Sequence, residues 1–398
     1  MARSDMISCS ARDGSQAIGQ GTICEPVTTA NTHMAGFAAD YAGARRQFRA
    51  AAARADADRL EALHLDEGGS GSERLSIDIA WFGTQCPRRV LLHSCGLHGV
   101  EGFAGSAIQQ ALLTDLPPLA EDGALVFVHA LNPFGMANLR RVNEHNVDLN
   151  RNCLSDHDSY RGIPDAYRRI DPLLNPTGPP ARDGFYLRAA ASVLRHGYGR
   201  LRRAVAMGQY EREQGLFFGG RTLEPGLRRY RQWLTQRLGH AARVCAIDVH
   251  TGLGGWAHET LFAESAAARG PLGAALGRRL TSPDVADPAA YVVRGGLAGM
   301  LPCWLPGAEV TAFTQEFGTY PGLYVLHALR EENRWHHYGS ATLNHPSKAR
   351  LRAAFCPENR RWRQHILTQG VDLARRAAGA LFATPPDTAV QVRARSGR

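Results

Sequence analysis

The chain has 398 residues, of which 44% are hydrophobic and 21% are charged, and its formal net charge is +9. This size and composition are typical of a globular protein with a large core, and the sequence contains no run of about 18 apolar residues, as a transmembrane helix requires. Arginine supplies nearly all of the positive charge, since Lys348 is the only lysine. The basic residues do not cluster with aromatic ones, so we expect no nucleic-acid partner.

The predicted elements of the first half alternate between helix and strand. Residues 1–33 lack apolar periodicity and predict a disordered extension. An amphipathic helix is expected from Met34 onwards, followed by strands at 74–83 ("RLSIDIAWFG") and at "RVLLHS", a helix at 102–113 and a buried strand at 124–133. Strand, helix and strand at these lengths form a βαβ unit, which indicates a mainly parallel sheet.

The second half begins with a Pro- and Gly-rich segment at 155–185, which predicts an irregular loop at the rim of a site. Helices are expected at about 185–206 and 224–240, strands at 243–252 and 309–318, and helices again to about 382, before a flexible tail at 383–398. No repeat or linker separates two cores. We therefore predict one α/β domain over 34–382, with a mixed, mainly parallel central sheet flanked by helices.

The eight cysteines form no CxxC pair and have no regular spacing, which argues against a zinc ribbon or a disulfide framework. The N-terminus shows no charged segment followed by an apolar one, the pattern of a secretory signal. We therefore expect a protein of the reducing cytoplasm, without a membrane partner.

Polar side chains stand where three of the predicted strands end. His98 and Glu101 follow "RVLLHSCGL", His250 lies in "DVHTG", and Glu316 lies in "TQEFG". Ligands of open α/β sheets bind beyond the carboxyl ends of the strands, so these groups can converge. Two histidines and one glutamate are a common catalytic zinc set that leaves a position for water. An HxxE pair alone occurs often by chance, and a lone strand-end histidine is usually bonded to backbone.

The segment "NLRRVNEHNVDLNRN" (138–152) supports the interpretation of these strand ends as a metal site. It places Arg140, Arg141, Asn150 and Arg151 in a loop that leaves the same sheet edge. Guanidinium groups bind carboxylates through two parallel hydrogen bonds. Such a loop beside a zinc site indicates a substrate with a carboxylate or a developing oxyanion.

The order of these motifs resembles the zinc carboxypeptidase superfamily, which also contains the succinylglutamate desuccinylase and aspartoacylase branch. The phrases "GLHGVEGFAGSAIQ", "RRVNEHNVDLNRN" and "DVHTGLG" are most similar to a bacterial subgroup known mainly as a domain of unknown function. The resemblance extends from about Phe37 to Leu381. As a combination the motifs are specific, although each one alone is not.

The resemblance implies a metal centre and its base. His98, Glu101 and His250 match the zinc ligands, and Asp148 matches a carboxylate that bonds the first zinc histidine and fixes its tautomer. Glu316 matches the general base.

The resemblance also implies a substrate-binding set. Arg141 matches the arginine that polarises the scissile carbonyl, with Arg140 as the alternative because the spacing before "DLNRN" varies. Asn150 and Arg151 match the pair that holds the substrate's terminal carboxylate.

The activity implied by the resemblance is a zinc-dependent hydrolase of the carboxypeptidase type, which cleaves an amide bond next to a free carboxylate. Its substrate is a small peptide or an N-acyl amino acid. An aspartoacylase-like deacylase and an inactive relative that only binds carboxylates are the alternatives. Tyr320 and Tyr324 are candidates for a substrate-capping tyrosine. The oligomeric state stays open.

Overall fold

The computed structural model describes residues 36–65, 74–155, 158–281 and 293–383. It contains one continuous eight-stranded sheet with the order β1-β2-β4-β3-β5-β8-β6-β7. The strands are β1 (Arg59–His64), β2 (Ser76–Gly83), β3 (Arg89–Cys95), β4 (Gly123–His129), β5 (Arg243–Gly252), β6 (Glu259–Ala263), β7 (Leu280–Thr281) and β8 (Glu309–Gly318). The predicted fold class, a mixed and mainly parallel sheet, is confirmed.

The four central strands, β4, β3, β5 and β8, are all parallel to one another. On one side of this group, β2 pairs antiparallel with β4, and β1 pairs antiparallel with β2. On the other side, β6 pairs antiparallel with β8 and parallel with β7. The carboxyl ends of the central strands therefore meet at one edge of the sheet, which is where parallel α/β sheets place their ligands.

Twelve helices lie among the described residues. They are α1 (Tyr41–Arg54), α2 (Gly102–Thr114), α3 (Pro133–Ala137), α4 (Asp165–Leu174), α5 (Phe185–His196), α6 (Tyr198–Met207), α7 (Pro225–Leu238), α8 (Pro271–Ala275), α9 (Leu297–Trp304), α10 (Gly322–Tyr338), α11 (Pro346–Phe355) and α12 (Arg360–Ala383). None of these helices is long and apolar enough to span a bilayer.

Both faces of the sheet are covered, because successive side chains of a strand point to opposite faces. In β3, Leu91 packs in the core formed with α1, α2 and α12, which includes Phe48 and Trp362. Its neighbour Leu92 packs in a second core, which includes Trp233 of α7. A third cluster joins α4, α6, α10 and α11 above the carboxyl edge of the sheet.

The structure differs from the sequence-based expectations at several elements. Helix α4 lies inside the 155–185 segment that was expected to be irregular, and β1, β6 and β7 were not predicted. The first helix begins at Tyr41 rather than near Met34, because the Asp40 side chain caps it by accepting a hydrogen bond from the Gly43 N–H at 2.7 Å. The predicted extension at 1–33, and the predicted tail beyond Ala383, lie outside the described residues.

Candidate metal centre and cavity

The turn after β3 carries the first two site residues. Gly96, with φ of +72°, leaves the strand, and a 3-10 turn at Gly99–Glu101 leads directly into α2. A Cβ atom on Gly99 would lie 2.0 Å from the backbone of Gly135, so only glycine permits this close approach. The turn therefore points His98 and Glu101 towards the end of the neighbouring strand β5.

His250 of β5 completes a group of three buried side chains with His98 and Glu101. The Nδ1 atoms of the two histidines are 3.2 Å apart. The Glu101 carboxylate lies 2.8 Å from His98 Nδ1 through Oε1 and 3.1 Å from His250 Nδ1 through Oε2. A tetrahedral zinc ion with ligands at about 2.0–2.1 Å sets its ligand atoms about 3.3 Å apart, so these donor atoms fit zinc.

The outer nitrogen of each imidazole faces a carboxylate. Asp148 Oδ1 lies 3.0 Å from His98 Nε2, as the sequence predicts, and Asp248 Oδ2 lies 2.6 Å from His250 Nε2. In the neutral imidazoles, Nε2–H then donates to the carboxylates, which leaves the two Nδ1 lone pairs facing each other beside Glu101. Three converging acceptors favour a cation between them.

Asp248 is a site residue that the sequence reasoning missed. It stands two residues before His250 in β5, and residues at this spacing point to the same face of a strand. Its second oxygen accepts a hydrogen bond from the Ser94 hydroxyl at 2.6 Å. The signal was present in "DVHTG", because a carboxylate two positions from a strand-end histidine can fix the imidazole.

The electrostatics of the group favour positive charge at its centre. Burial by itself raises the pKa of Glu101, but His98, His250 and Arg141 together lower it below its usual value. Burial lowers the pKa of His250, yet Asp248 and Glu101 raise it well above the usual value. A divalent cation satisfies the same demand for positive charge.

Glu316 lies directly across from His250 in the register of β5 and β8. Its side chain lines the same cavity as the three buried groups, and its Oε1 accepts a hydrogen bond from the Leu253 N–H at 2.8 Å. Burial, followed by repulsion from Glu101, raises the pKa of Glu316 to about 8. A carboxyl with such a pKa can both accept and release a proton near neutral pH.

Arg141 lies beside the group and lines the cavity. Its Nη1 donates to Glu101 at 2.9 Å, and its Nε donates to Asp148 at 3.1 Å. Its guanidinium also lies 5.8 Å from the centre of the Phe217 ring. These contacts hold the guanidinium beside the metal-ligand group.

Arg140 does not fit the substrate-binding role that the sequence left open for it. Its side chain is fully buried outside the cavity lining, and Nε donates to Glu332 at 3.1 Å. Its Nη2 donates to Asn146 and Asn333. Lys348, the only lysine, also donates to Glu332 at 2.6 Å. Arg140 therefore belongs to a buried network of charged and amide side chains. Its neighbour Arg141 lines the cavity, so the two consecutive arginines have different surroundings.

Asn150 and Arg151 line the cavity next to the metal-ligand group. The Asn150 Oδ1 accepts a hydrogen bond from the Leu297 N–H at 3.2 Å. Arg151 is 4% exposed, its Nη1 donates to the Asn150 carbonyl at 2.8 Å, and its buried Nε has no hydrogen-bond partner among the described residues. A guanidinium in the lining of a cavity suits an anionic ligand.

The cavity has a volume of about 440 Å³. Its lining also includes Glu264 and Thr314, which the sequence reasoning missed, and the Thr314 hydroxyl donates to Glu264 at 3.1 Å. Burial raises the pKa of Glu264. Among the described residues the lining includes 321–323 but neither Tyr320 nor Tyr324.

Comparisons with known proteins agree with the subgroup that the motifs indicated. A family model described as "Protein of unknown function (DUF2817)" matches residues 37–369. A search of curated proteins found no match.

Several solved structures resemble the chain at low sequence identity. Bovine thrombin-activatable fibrinolysis inhibitor, in complex with tick carboxypeptidase inhibitor, is 13% identical, with a TM-score of 0.44 over 87% of this chain and 98% of that one. Carboxypeptidase A from Helicoverpa armigera is 16% identical, with a TM-score of 0.40, and the match covers 80% of this chain and 74% of that one. A metallo-carboxypeptidase from Pseudomonas aeruginosa is 14% identical, with a TM-score of 0.39, and the match covers 85% of this chain and 68% of that one.

Proposed function

The chain belongs to this family of unknown function, DUF2817, and from the site itself we propose that it is a zinc-dependent hydrolase that cleaves an amide bond next to a free carboxylate. One observation carries the proposal. The nitrogen and oxygen donors of His98, Glu101 and His250 lie within 4.8 Å of one another, with Glu316 across the strand pair in the same cavity.

The zinc ion would be held by His98 Nδ1, His250 Nδ1 and the Glu101 carboxylate. When bound, zinc lowers the pKa of a water molecule towards about 7, polarises a carbonyl and, as a nearby positive charge, lowers the pKa of Glu316. Asp148 and Asp248 keep both imidazoles in the tautomer that presents Nδ1, because each accepts the proton of the outer nitrogen.

Glu316 has the position and the chemistry of a general base. It accepts the proton of the attacking water and later delivers it to the leaving amine. The Leu253 N–H, which bonds Oε1, orients the carboxylate and leaves Oε2 to exchange the proton. Burial of the side chain raises the pKa of Glu316 and so opposes the lowering by bound zinc.

Arg141 and Arg151 divide the substrate's negative charges between them. Arg141, which is anchored on Glu101 and Asp148, stabilises the oxyanion, and loss of one such donor costs about 10²–10³ in rate. Arg151, with Asn150, binds the free carboxylate through the guanidinium, since both residues line the cavity beside the metal-ligand group. Fixing the carboxylate sets the reacting carbonyl over the metal site and lowers the entropic part of the barrier.

The test combines metal content with hydrolysis of dipeptides and N-acyl amino acids. We expect about one zinc ion per chain by mass spectrometry and amide cleavage by the wild type. Glu316→Gln should keep the metal and lose about 10²–10⁴ in kcat. Glu309→Gln is the matched control, because Glu309 begins the same strand but its side chain is 58% exposed.

The controls decide between this proposal and its alternatives. Hydrolysis that is equal in wild type and Glu316→Gln would refute the role of Glu316. Zinc binding without cleavage of any substrate would refute the hydrolase and favour a protein that only binds carboxylates. Absence of zinc in a wild type that is folded by circular dichroism would refute the metal centre.

A further inference from the structure

Much of the cavity lining is apolar and comes from helices rather than from the sheet. Six of its lining residues come from four helices, α4, α5, α6 and α10: Leu173, Leu174, Ala189, Val193, Leu201 and Leu329. Three of these helices follow one another between residues 165 and 207, so one continuous stretch of sequence builds most of this wall. We call this part of the cavity the apolar chamber.

The apolar lining continues to the mouth of the cavity. Tyr198 and Leu323 line the cavity and are also 58% and 37% exposed, which places them where it opens to solvent. The metal-ligand group and Arg151 line the same cavity. The cavity therefore offers ionic groups for a carboxylate and an apolar wall that reaches the surface.

This distribution of lining residues discriminates between peptides and N-acyl amino acids, the two substrate classes that the proposed hydrolase could cleave. Each residue of a peptide brings an N–H and a C=O group, and each of these costs free energy when it is buried without a hydrogen-bond partner. The six chamber residues named above offer hydrocarbon side chains, and the same helices add only Ser192 and Arg202 as lining residues with hydrogen-bonding or charged groups, apart from Tyr198 at the mouth. A hydrocarbon chain has no such groups, and its burial is favourable in proportion to its length.

We propose that the substrate is an N-acyl amino acid with a long hydrocarbon acyl chain, the chain lying in the apolar chamber and the amino-acid carboxylate on Arg151. This inference rests on the proposed hydrolase. In the reaction, water adds to the acyl carbonyl carbon and the C–N bond breaks. The amine takes up a proton, so the products are a fatty acid and a free amino acid, with no other reactant.

The first experiment varies the chain length at constant head group. Acetyl, hexanoyl, decanoyl and tetradecanoyl derivatives of arginine, glutamate and phenylalanine are compared with tripeptides that end in the same residues. For any head group that is cleaved, kcat/KM should rise by about fourfold per methylene until the chamber is full. Equal rates for acetyl and tetradecanoyl substrates, or a preference for tripeptides, would overturn the inference.

The second experiment fills the chamber. Ala189 lines it and is 3% exposed, so Ala189→Phe should lower kcat/KM for the tetradecanoyl substrate at least about tenfold more than for the acetyl substrate. Leu187→Phe is the matched control on the same helix, because Leu187 is 80% exposed. An equal loss for long and short chains in a folded Ala189→Phe variant would contradict a chain-binding role.

The third experiment separates binding from catalysis. Calorimetric titration of the metal-free protein with N-tetradecanoyl and N-acetyl amino acids should show tighter binding of the long chain, which Ala189→Phe weakens and Leu187→Phe does not. Chain-dependent binding without hydrolysis would refute the hydrolase but keep the acyl chamber. Hydrolysis of acetyl substrates and peptides, without any dependence on chain length, would refute the chamber but keep the hydrolase.

Discussion

Asp248 provides the sharpest test of how the metal centre is organised. Its carboxylate lies 2.6 Å from His250 Nε2 and 2.6 Å from the Ser94 hydroxyl, and it is 4% exposed. Asp248→Asn keeps the size of the side chain and removes its charge. Asp148 is a less suitable target, because it also accepts from Arg141 and its loss would remove one of the two carboxylates that hold this guanidinium.

The expected magnitude follows from the change in the hydrogen bond to His250. A bond to a charged group contributes about 1.5–3 kcal/mol and a neutral one about 0.5–1.5 kcal/mol. The difference of about 1–2 kcal/mol corresponds to a five- to thirtyfold weaker zinc affinity, which overlaps the range of about 10–100-fold found for outer carboxylates of metal sites. We therefore expect the zinc Kd of Asp248→Asn to rise about ten- to thirtyfold.

The assay is a competition titration of zinc against a chelator, with thermal unfolding of the metal-free protein as a check on folding. Ser94→Ala is the control, because it removes the other hydrogen bond of Asp248 and keeps the charge beside His250. Its effect on zinc affinity should be smaller. An Asp248→Asn variant that binds zinc as tightly as the wild type, while His98→Ala does not, would refute the reasoning.

Three further predictions concern packing, buried charge and substrate binding. Gly99→Ala should lower the free energy of unfolding by about 1–3 kcal/mol in urea titrations and weaken zinc binding, because the new Cβ would lie 2.0 Å from backbone. The control is Gly379→Ala, which should stabilise its helix slightly, because no atom lies within 4 Å of the new Cβ. Lys348→Met should cost about 3 kcal/mol in the same assay, since Glu332 loses one of its two buried cations; an unchanged midpoint would contradict this. Arg151→Lys should raise KM at least tenfold with little change in kcat in steady-state kinetics, because lysine cannot form the paired bonds of a guanidinium; a loss confined to kcat would place Arg151 elsewhere in the reaction.

Much of the sheet could be read from local patterns in the sequence. The strands predicted at 243–252 and 309–318 have these bounds in the structure, because long apolar runs between polar residues and glycine have few other interpretations. The short strands β6 and β7 were missed, since segments of five and two residues carry little periodicity. Helix α4 was hidden by the Pro and Gly residues around it, and its burial against α6 and α10 overrides them.

For the site, the sequence by itself determined which residue types stand at the strand ends, because a histidine and a glutamate three residues apart after a buried strand must share one turn. Only the tertiary structure brought His250 to within 3.2 Å of His98, across 152 positions of the chain, and separated Arg141 from Arg140. The physical reason is that sheet register and loop direction depend on packing between distant segments. The apolar chamber has the same origin, since its wall exists only where four helices meet.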